Sequence, residues 1–342
     1  MLIALDFETT GLQMYSPKHS VFCAAIAYRQ NGELKSEFIE ADNVLPRLTV
    51  LQNEGHTFCV YNIGFEGLVL KSKYPSLKLN IVADVMRLVQ NYDNGENVLN
   101  FGLKHAAKRL LPTQYQDWEK EMKDWLYKHK GQNIHQAPKE ILVPYNVGDS
   151  IATLLLYELI TNKFAVEGFN WTVDHGLYMS SATHVVDAKL RGVQVDQDRL
   201  LQYTKAVERG LENNETLFKY TLFEDIHAAE EKLTAAEQGK FKRKIVERTR
   251  FNLDSNKHRE VLFCDVMGIE PTFFTKTGRP SLKKSHLRQF GEAAQLLEAR
   301  KGRQVVLTQA NNLLELAKED GRWHIDLKLV GTSTSRFAGG QQ

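Results

Sequence analysis

The chain has 342 residues, 42% of them hydrophobic and 25% charged, with a formal net charge of +2. That length can bury a sizeable core and leads us to expect two domains, and the composition excludes collagen-like, low-complexity and disordered classes. No segment approaches the roughly 20 apolar residues that span a bilayer, and Met1-Leu2-Ile3-Ala4-Leu5-Asp6 lacks the basic and long apolar regions of a signal peptide, so a cytoplasmic protein without a membrane partner is expected.

In chain order, residues 2–8 and 21–28 are short apolar runs and residues 34–40 alternate, which predicts three strands broken at Gly11 and at the Asn31-Gly32 turn. Helices are expected over 44–53 and 65–73, with a buried strand at Phe58-Cys59-Val60-Tyr61 between them. From about 99 to 163 the period becomes helical, through Leu103, Ala106, Ala107 and Leu110, then Ile141 and Tyr145, then Ile151, Leu154 and Leu155. Strands first and helices after predict an α/β layer fold for this part. The character changes after about 165. Long charged helices are expected over 197–223 and 227–250, followed by a helical unit from Asn252 to Gly268 with Asp254 or Ser255 as its N-cap. Thr275 to Pro280 reads as a basic loop, 285–318 as helical, and Trp323 to Arg336 as extended.

The three cysteines, Cys23, Cys59 and Cys264, are odd in number, far apart and in apolar settings, which fits buried thiols better than disulfides or a zinc site. Between Lys240 and Arg250, six basic residues accompany one acidic residue. Such a run suits a phosphate-binding surface and suits a solvated helix face equally well.

The acidic residues carry more chemistry. Asp6 and Glu8 stand at i and i+2 of a predicted strand, so both carboxylates share one face while Leu5 and Phe7 point to the other. Two acids on one face repel unless a cation lies between them, although an exposed strand with polar alternation gives the same pattern. Thr9-Thr10-Gly11-Leu12 leaves the strand abruptly. Glu66 stands at a strand-to-helix junction, after Asn62-Ile63-Gly64-Phe65, where the helix dipole alone favours an acid. Tyr145 and Asp149 share one face of a predicted helix at i and i+4.

Taken as a set and in this order, Asp-x-Glu, Asn-x-x-x-acid and Tyr-x-x-x-Asp resemble the tyrosine-containing DEDD exonucleases over about residues 1–165. The resemblance implies an RNase H-like α/β domain with a mixed sheet and a 3′→5′ exonuclease. Asp6, Glu8, Glu66 and Asp149 would hold two divalent ions, Mg²⁺ or Mn²⁺, and Tyr145 would orient the attacking water. Cleavage of a phosphodiester needs an attacking hydroxide and a stabilised leaving oxygen, and two ions roughly 4 Å apart serve both. Thr9, Leu12, Asn62 and Phe65 match positions that grip the terminal nucleotides, so a single-stranded or frayed 3′ end is the implied substrate. Glu66 departs from the usual Asp by one methylene. Asp84 is a nearby acid that matches a structural aspartate of such domains better than a ligand.

The remaining stretches resemble the polymerase part of family-A DNA polymerases. These are Gly192-Val193-Gln194-Val195-Asp196, Phe251-Asn252-Leu253-Asp254-Ser255, Thr275-Lys276-Thr277-Gly278, Glu298-Ala299-Arg300-Lys301, and Asp320-Gly321-Arg322-Trp323-His324 followed by Gly331-Thr332-Ser333-Thr334-Ser335-Arg336. Ser335 stands where the family has Gly. The resemblance implies a mostly α-helical thumb-side portion over 166–342, with Lys276, Thr334 and Arg336 at the primer–template. The family places its palm and fingers motifs beyond the last of these stretches. A second chain carrying palm and fingers is therefore an expected partner, and the layout suggests a phage-type polymerase in a host cytoplasm. The implied function is proofreading in DNA replication. The competing expectation is a catalytically weak DNA-binding subunit of a split polymerase; an RNA exonuclease is a minor third.

Overall fold

The computed structural model describes residues 1–93, 100–241, 250–330 and 338–339. They form two compact units, Met1–Val193 with His324–Gln342, and Gln194–Trp323. The sequence reading set a domain boundary at 165/166; the compact units divide instead at 193/194, because the helix Trp171–Arg191 packs into the first core.

The first unit is an α/β layer built on a five-stranded mixed sheet. Its strands are β1 (Leu2–Thr9), β2 (Val21–Gln30), β3 (Glu33–Glu40), β4 (Thr57–Val60) and β5 (Asn80–Asp84), in the order β3-β2-β1-β4-β5. β1, β2 and β3 pair antiparallel, whereas β4 runs parallel to both β1 and β5. The Asn31-Gly32 turn joins β2 to β3 with both residues at positive φ, as a tight hairpin between twisted strands requires. The helices are α1 (Ala41–Asn53), α2 (Ile63–Lys73), α3 (Val85–Asp93), α4 (Leu103–Leu110), α5 (Lys120–Lys128), α6 (Lys139–Val166) and α7 (Trp171–Arg191).

The two faces of the sheet carry separate cores. Ile3, Leu5, Phe7 and Ile26 face α1, α2 and α7, where they meet Leu48, Leu68, Ala182 and Val186. Ala4, Ala27 and Cys59 face α3, α4 and α6, where they meet Leu88, Ala106, Leu154 and Leu156. The period-2 alternation of β1 therefore puts Asp6 and Glu8 in the row begun by Ala4, under α6. Their cross-strand partners are small, Ala25 beside Asp6 and Cys23 beside Glu8, which leaves room above the acids. β1 ends in a bulge between Glu8 and Thr9.

β5 was not anticipated from the sequence, since Asn80-Ile81-Val82 are at least partly open to solvent and only Ala83 and Asp84 are buried. Asp84 anchors this corner. Its carboxylate accepts hydrogen bonds from the Ile63 amide at 3.2 Å, the Met86 amide at 3.0 Å and the Tyr178 hydroxyl at 2.5 Å. The Asp84 amide donates to His175 Nε2 at 3.0 Å. Asp84 thus caps the start of α2 and ties α7 to the sheet. Asp84→Ala would orphan a buried amide and a buried hydroxyl, so chemical denaturation should show a loss of about 2–4 kcal/mol. Tyr178→Phe removes one of those bonds and should cost about 1 kcal/mol.

The second unit is helical: α8 (Gln197–Thr221), α9 (Phe223–Phe241), α10 (Asn256–Glu260) and α11 (Glu292–Leu316). Ser255, and not Asp254, is the side-chain cap of α10, accepting from the His258 amide at 3.3 Å. Asp254 instead pairs with Arg300 at 2.7 Å, and Glu215 takes the Arg300 Nε at 2.7 Å. The single helical unit expected over 252–268 is α10 followed by a π-helical turn, Val261–Val266. The helix expected over 285–318 is interrupted: a 3-10 helix, Lys284–Phe290, stops at Gly291 (φ 82°) before α11 begins. Of the basic run, residues 242–249 lie outside the described residues.

All three cysteines are free; Cys23 and Cys59 are buried, whereas Cys264 is only half-buried. Among the described residues, no helix is long and apolar enough to cross a membrane.

Candidate metal and nucleic-acid site

Three carboxylates converge where α6 crosses β1. Asp6, Glu8 and Asp149 each offer an oxygen within 4.8 Å of the others. Helical periodicity brings Asp149 here, because it lies one turn beyond the buried Asn146 and the half-buried Tyr145 on α6. Asn146 is fully buried and donates to Asp6 Oδ2 at 2.8 Å, which fixes that carboxylate. Tyr145 packs with Cys23, Met122 and Leu142 beside the acids.

Asp149 is held from a second direction. The Trp118 indole N–H donates to Asp149 Oδ1 at 2.7 Å, and the Lys104 ammonium, from α4, contacts the same oxygen. Lys104 Nζ also lies 4.6 Å from the Tyr145 ring centroid and 5.3 Å from that of Trp118. The Trp118 ring sits flush on Gly148: a Cβ there would come within 2.2 Å of Trp118 Cδ1. Gly148→Ala should therefore push the indole off Asp149 and show as a changed Trp118 fluorescence environment. We expect a stability loss of about 1–3 kcal/mol, set by overpacking against a helix-propensity gain.

The electrostatics are those of a site built for a cation. Burial, then the charges of Asp149, Glu8 and Glu66, holds the Asp6 carboxyl well above its usual range. Burial, then Asp149, pushes Glu8 up to about 8. Burial also raises Asp149, against the opposing pull of Lys104 and Trp118. Gathering like charges out of water is unfavourable unless positive charge compensates. Oxygen-only donors at this spacing match the hard cations Mg²⁺ and Mn²⁺.

Glu66 lies on the first turn of α2 and is buried, 4% exposed. It is not one of the three residues whose oxygens cluster within 4.8 Å. Its Oε2 has no hydrogen-bond partner among the described residues, and burial followed by Asp84, Glu8 and Asp149 raises its carboxyl well above the ordinary range. Leu12, Asn62 and Phe65 line one groove of about 720 Å³ with Gln13, Tyr15 and Leu329. Leu12 is 78% exposed, an apolar side chain offered to solvent at the mouth of that groove. Asn62, at φ 157°, adopts a backbone conformation seldom found outside glycine. Thr9 turns its hydroxyl back to the Gly11 carbonyl at 2.8 Å.

Of the residues expected at a primer–template, Lys276 is exposed in the loop closed by the Phe274–Pro280 bridge in the second unit. Thr334 and Arg336 lie outside the described residues. Sequence reasoning missed Lys104, Trp118 and Asn146. Asn146 had a signal, since it sits inside the Tyr145–Asp149 motif; Lys104 and Trp118 had none, because only the packing of α4 and the α5 approach against α6 brings them in.

Comparison with known proteins places the fold. No family model matches the chain, and no curated protein matches it. A solved structure described as the POL domain of Pol1 from M. smegmatis, in complex with DNA primer-template and dNTP, is similar over 98% of this chain and 50% of that one, with a TM-score of 0.67 and 15% identity. The present chain thus spans about half the length of that structure, and the two share a fold.

Proposed function

We propose that the chain is a divalent-metal-dependent 3′→5′ DNA exonuclease of the proofreading kind, working as part of a family-A-type DNA polymerase. The observation that carries this reading is the meeting of Asp6, Glu8 and Asp149 within 4.8 Å beside Tyr145. The DNA primer-template in the similar polymerase-domain structure supports DNA over RNA as substrate. In this reading the unit that carries Asp6, Glu8 and Asp149 acts as the nuclease and the helical unit Gln194–Trp323 as a thumb-side DNA-binding portion.

Each part of the site has a task. Asp6, Glu8 and Asp149 would hold the cation, with Glu66 behind them. When bound, that cation supplies charge neutralisation at the scissile phosphate and a water acidic enough to attack at neutral pH. Asn146 keeps the Asp6 carboxylate in one orientation through its 2.8 Å bond. The Tyr145 hydroxyl orients the attacking water by hydrogen bonding; burial and the neighbouring carboxylates raise its pKa, so it stays protonated and serves as a donor rather than a base. The groove of Leu12, Asn62 and Phe65 takes the unstacked terminal nucleotides, Leu12 as an apolar wedge and Phe65 as an aromatic face.

The buried Oε2 of Glu66, without a hydrogen-bond partner among the described residues, favours one second reading. If its extra methylene misplaces the carboxylate, the chain serves as a DNA-holding subunit with little cutting of its own, since an error of about 1 Å can cost on the order of 10²-fold in rate. The two readings separate on a 3′-labelled single-stranded oligonucleotide with Mg²⁺ or Mn²⁺. The nuclease reading expects the wild-type chain to release the label. Retention of the label by the wild type, with release by Glu66→Asp, selects the binding subunit.

A further inference from the structure

Lys104 has no place in the chemistry above, yet it occupies the centre of the site. Its ammonium contacts Asp149 Oδ1 and stands over two aromatic faces, 4.6 Å from the Tyr145 centroid and 5.3 Å from the Trp118 centroid. Its side chain is 24% exposed and that of Asp149 only 6%. The cage is built and not incidental. Gly148 clears the space that lets Trp118 lie against α6, and the Trp118 N–H shares the same Asp149 oxygen. A carboxylate with two aromatic faces is a strong receptor for one ammonium group.

We infer that Lys104 is a resident cation of the carboxylate cluster, a positioning residue that occupies one oxygen of Asp149 and restricts the free chain to a single divalent ion at the Asp6, Glu8 and Asp149 cluster. This inference deepens the proposed nuclease function and rests on the metal reading of the site. The charge count supports it. Asp6, Glu8 and Asp149 face one fixed positive charge, so one divalent ion balances these three carboxylates, with Glu66 buried behind them. A second divalent ion would have to displace the ammonium from Asp149 or share its oxygen at a distance where like charges repel strongly. The sequence resemblance implied two ions; Lys104 takes the position of one of them in the absence of nucleic acid.

The test is a Mn²⁺ titration of the full chain followed by electron paramagnetic resonance, which counts bound ions without reference to catalysis. Wild type is expected to bind one ion. Lys104→Met, which keeps the stem and removes the charge, is expected to bind two, or one about tenfold more tightly or better. Lys104→Arg is expected to restore a single ion at wild-type affinity. Circular dichroism confirms that each variant is folded, and the wild-type count decides even if Lys104→Met is not. Two ions on the wild type, or the same count and affinity in wild type and Lys104→Met, overturns the Lys104 inference and leaves the metal site standing. Absence of Mn²⁺ binding in every variant overturns the metal site and the inference with it.

Discussion

Asp149→Asn is expected to slow release of a 3′-terminal nucleotide by on the order of 10³-fold or more, a change of about 4 kcal/mol in the barrier. The substitution keeps the shape of the side chain and an oxygen that can accept from Trp118, which now donates to Asp149 at 2.7 Å. It removes one of the three negative charges gathered within 4.8 Å. The fold should survive, because Asp149 is buried chiefly against partners that a neutral amide also satisfies. Single-turnover hydrolysis at saturating Mg²⁺ measures the effect, with DNA affinity read separately by fluorescence anisotropy. A loss confined to the rate, with affinity within a few-fold, is the expected pattern for a group acting on the reaction itself. A fall of less than tenfold would mean that Asp149 is a structural acid.

In the absence of divalent metal, stability should fall as the pH rises from about 6.5 to 8. Burial holds Asp84 at about 6 against an ordinary 3.8, and Glu8 at about 8 against 4.5. Both folded-state values lie above the unfolded ones, so these two carboxyls bind more protons in the folded chain and lose stability as the pH climbs, whereas His175, held by burial at about 4 against an ordinary 6.5, works in the opposite direction below about pH 6.5. For Asp84 the loss amounts to about 3 kcal/mol, complete somewhat above pH 6, and Glu8 adds a loss of similar or greater size up to about pH 8. That is a large fraction of the 5–15 kcal/mol typical of a folded domain. A divalent cation at about 100 times its dissociation constant should return about 2.7 kcal/mol at pH 8 and almost nothing at pH 4, where the ligands are protonated. Urea unfolding at pH 6.5 and pH 8, with EDTA or with Mg²⁺, measures both effects. A metal-free midpoint that rises from pH 6.5 to pH 8 would contradict this assignment.

Much of the site was legible because its signals are local. Asp6 and Glu8 alternate with Leu5 and Phe7 at the period of a strand, and the structure buries Leu5 and Phe7 in one core and turns the acids toward α6. Tyr145 and Asp149 follow the period of a helix, and α6 presents both inward. Asp84 was read as more structural than ligating, and its three hydrogen bonds within the fold agree. What stayed hidden depends on packing between distant segments. Lys104 is 45 residues from Asp149, and nothing in either stretch announces their meeting. Trp118 reaches Asp149 only because Gly148 lacks a side chain, a steric fact with no trace in composition. The division of units at 193/194 was missed for a similar reason, since α7 is helical like the segment that follows it but buries His175, Tyr178 and Val186 against the first sheet. The interrupted helix before α11 was missed because 285–318 shows a continuous helical period, whereas Gly291, with a φ of 82°, ends one helix and starts the next.

If Asp6, Glu8 and Asp149 hold the metal of a 3′→5′ exonuclease, the chain must shorten DNA from its 3′ end only with a divalent ion and with these acids in place. The most direct measurement follows a 5′-labelled single-stranded DNA oligonucleotide incubated with the purified chain and Mg²⁺, beside Asp6→Asn and beside an EDTA control. The expected result is a ladder that shortens one nucleotide at a time from the 3′ end, absent with EDTA and absent with Asp6→Asn. An unshortened oligonucleotide with the wild-type chain, or the same ladder with Asp6→Asn, would contradict it.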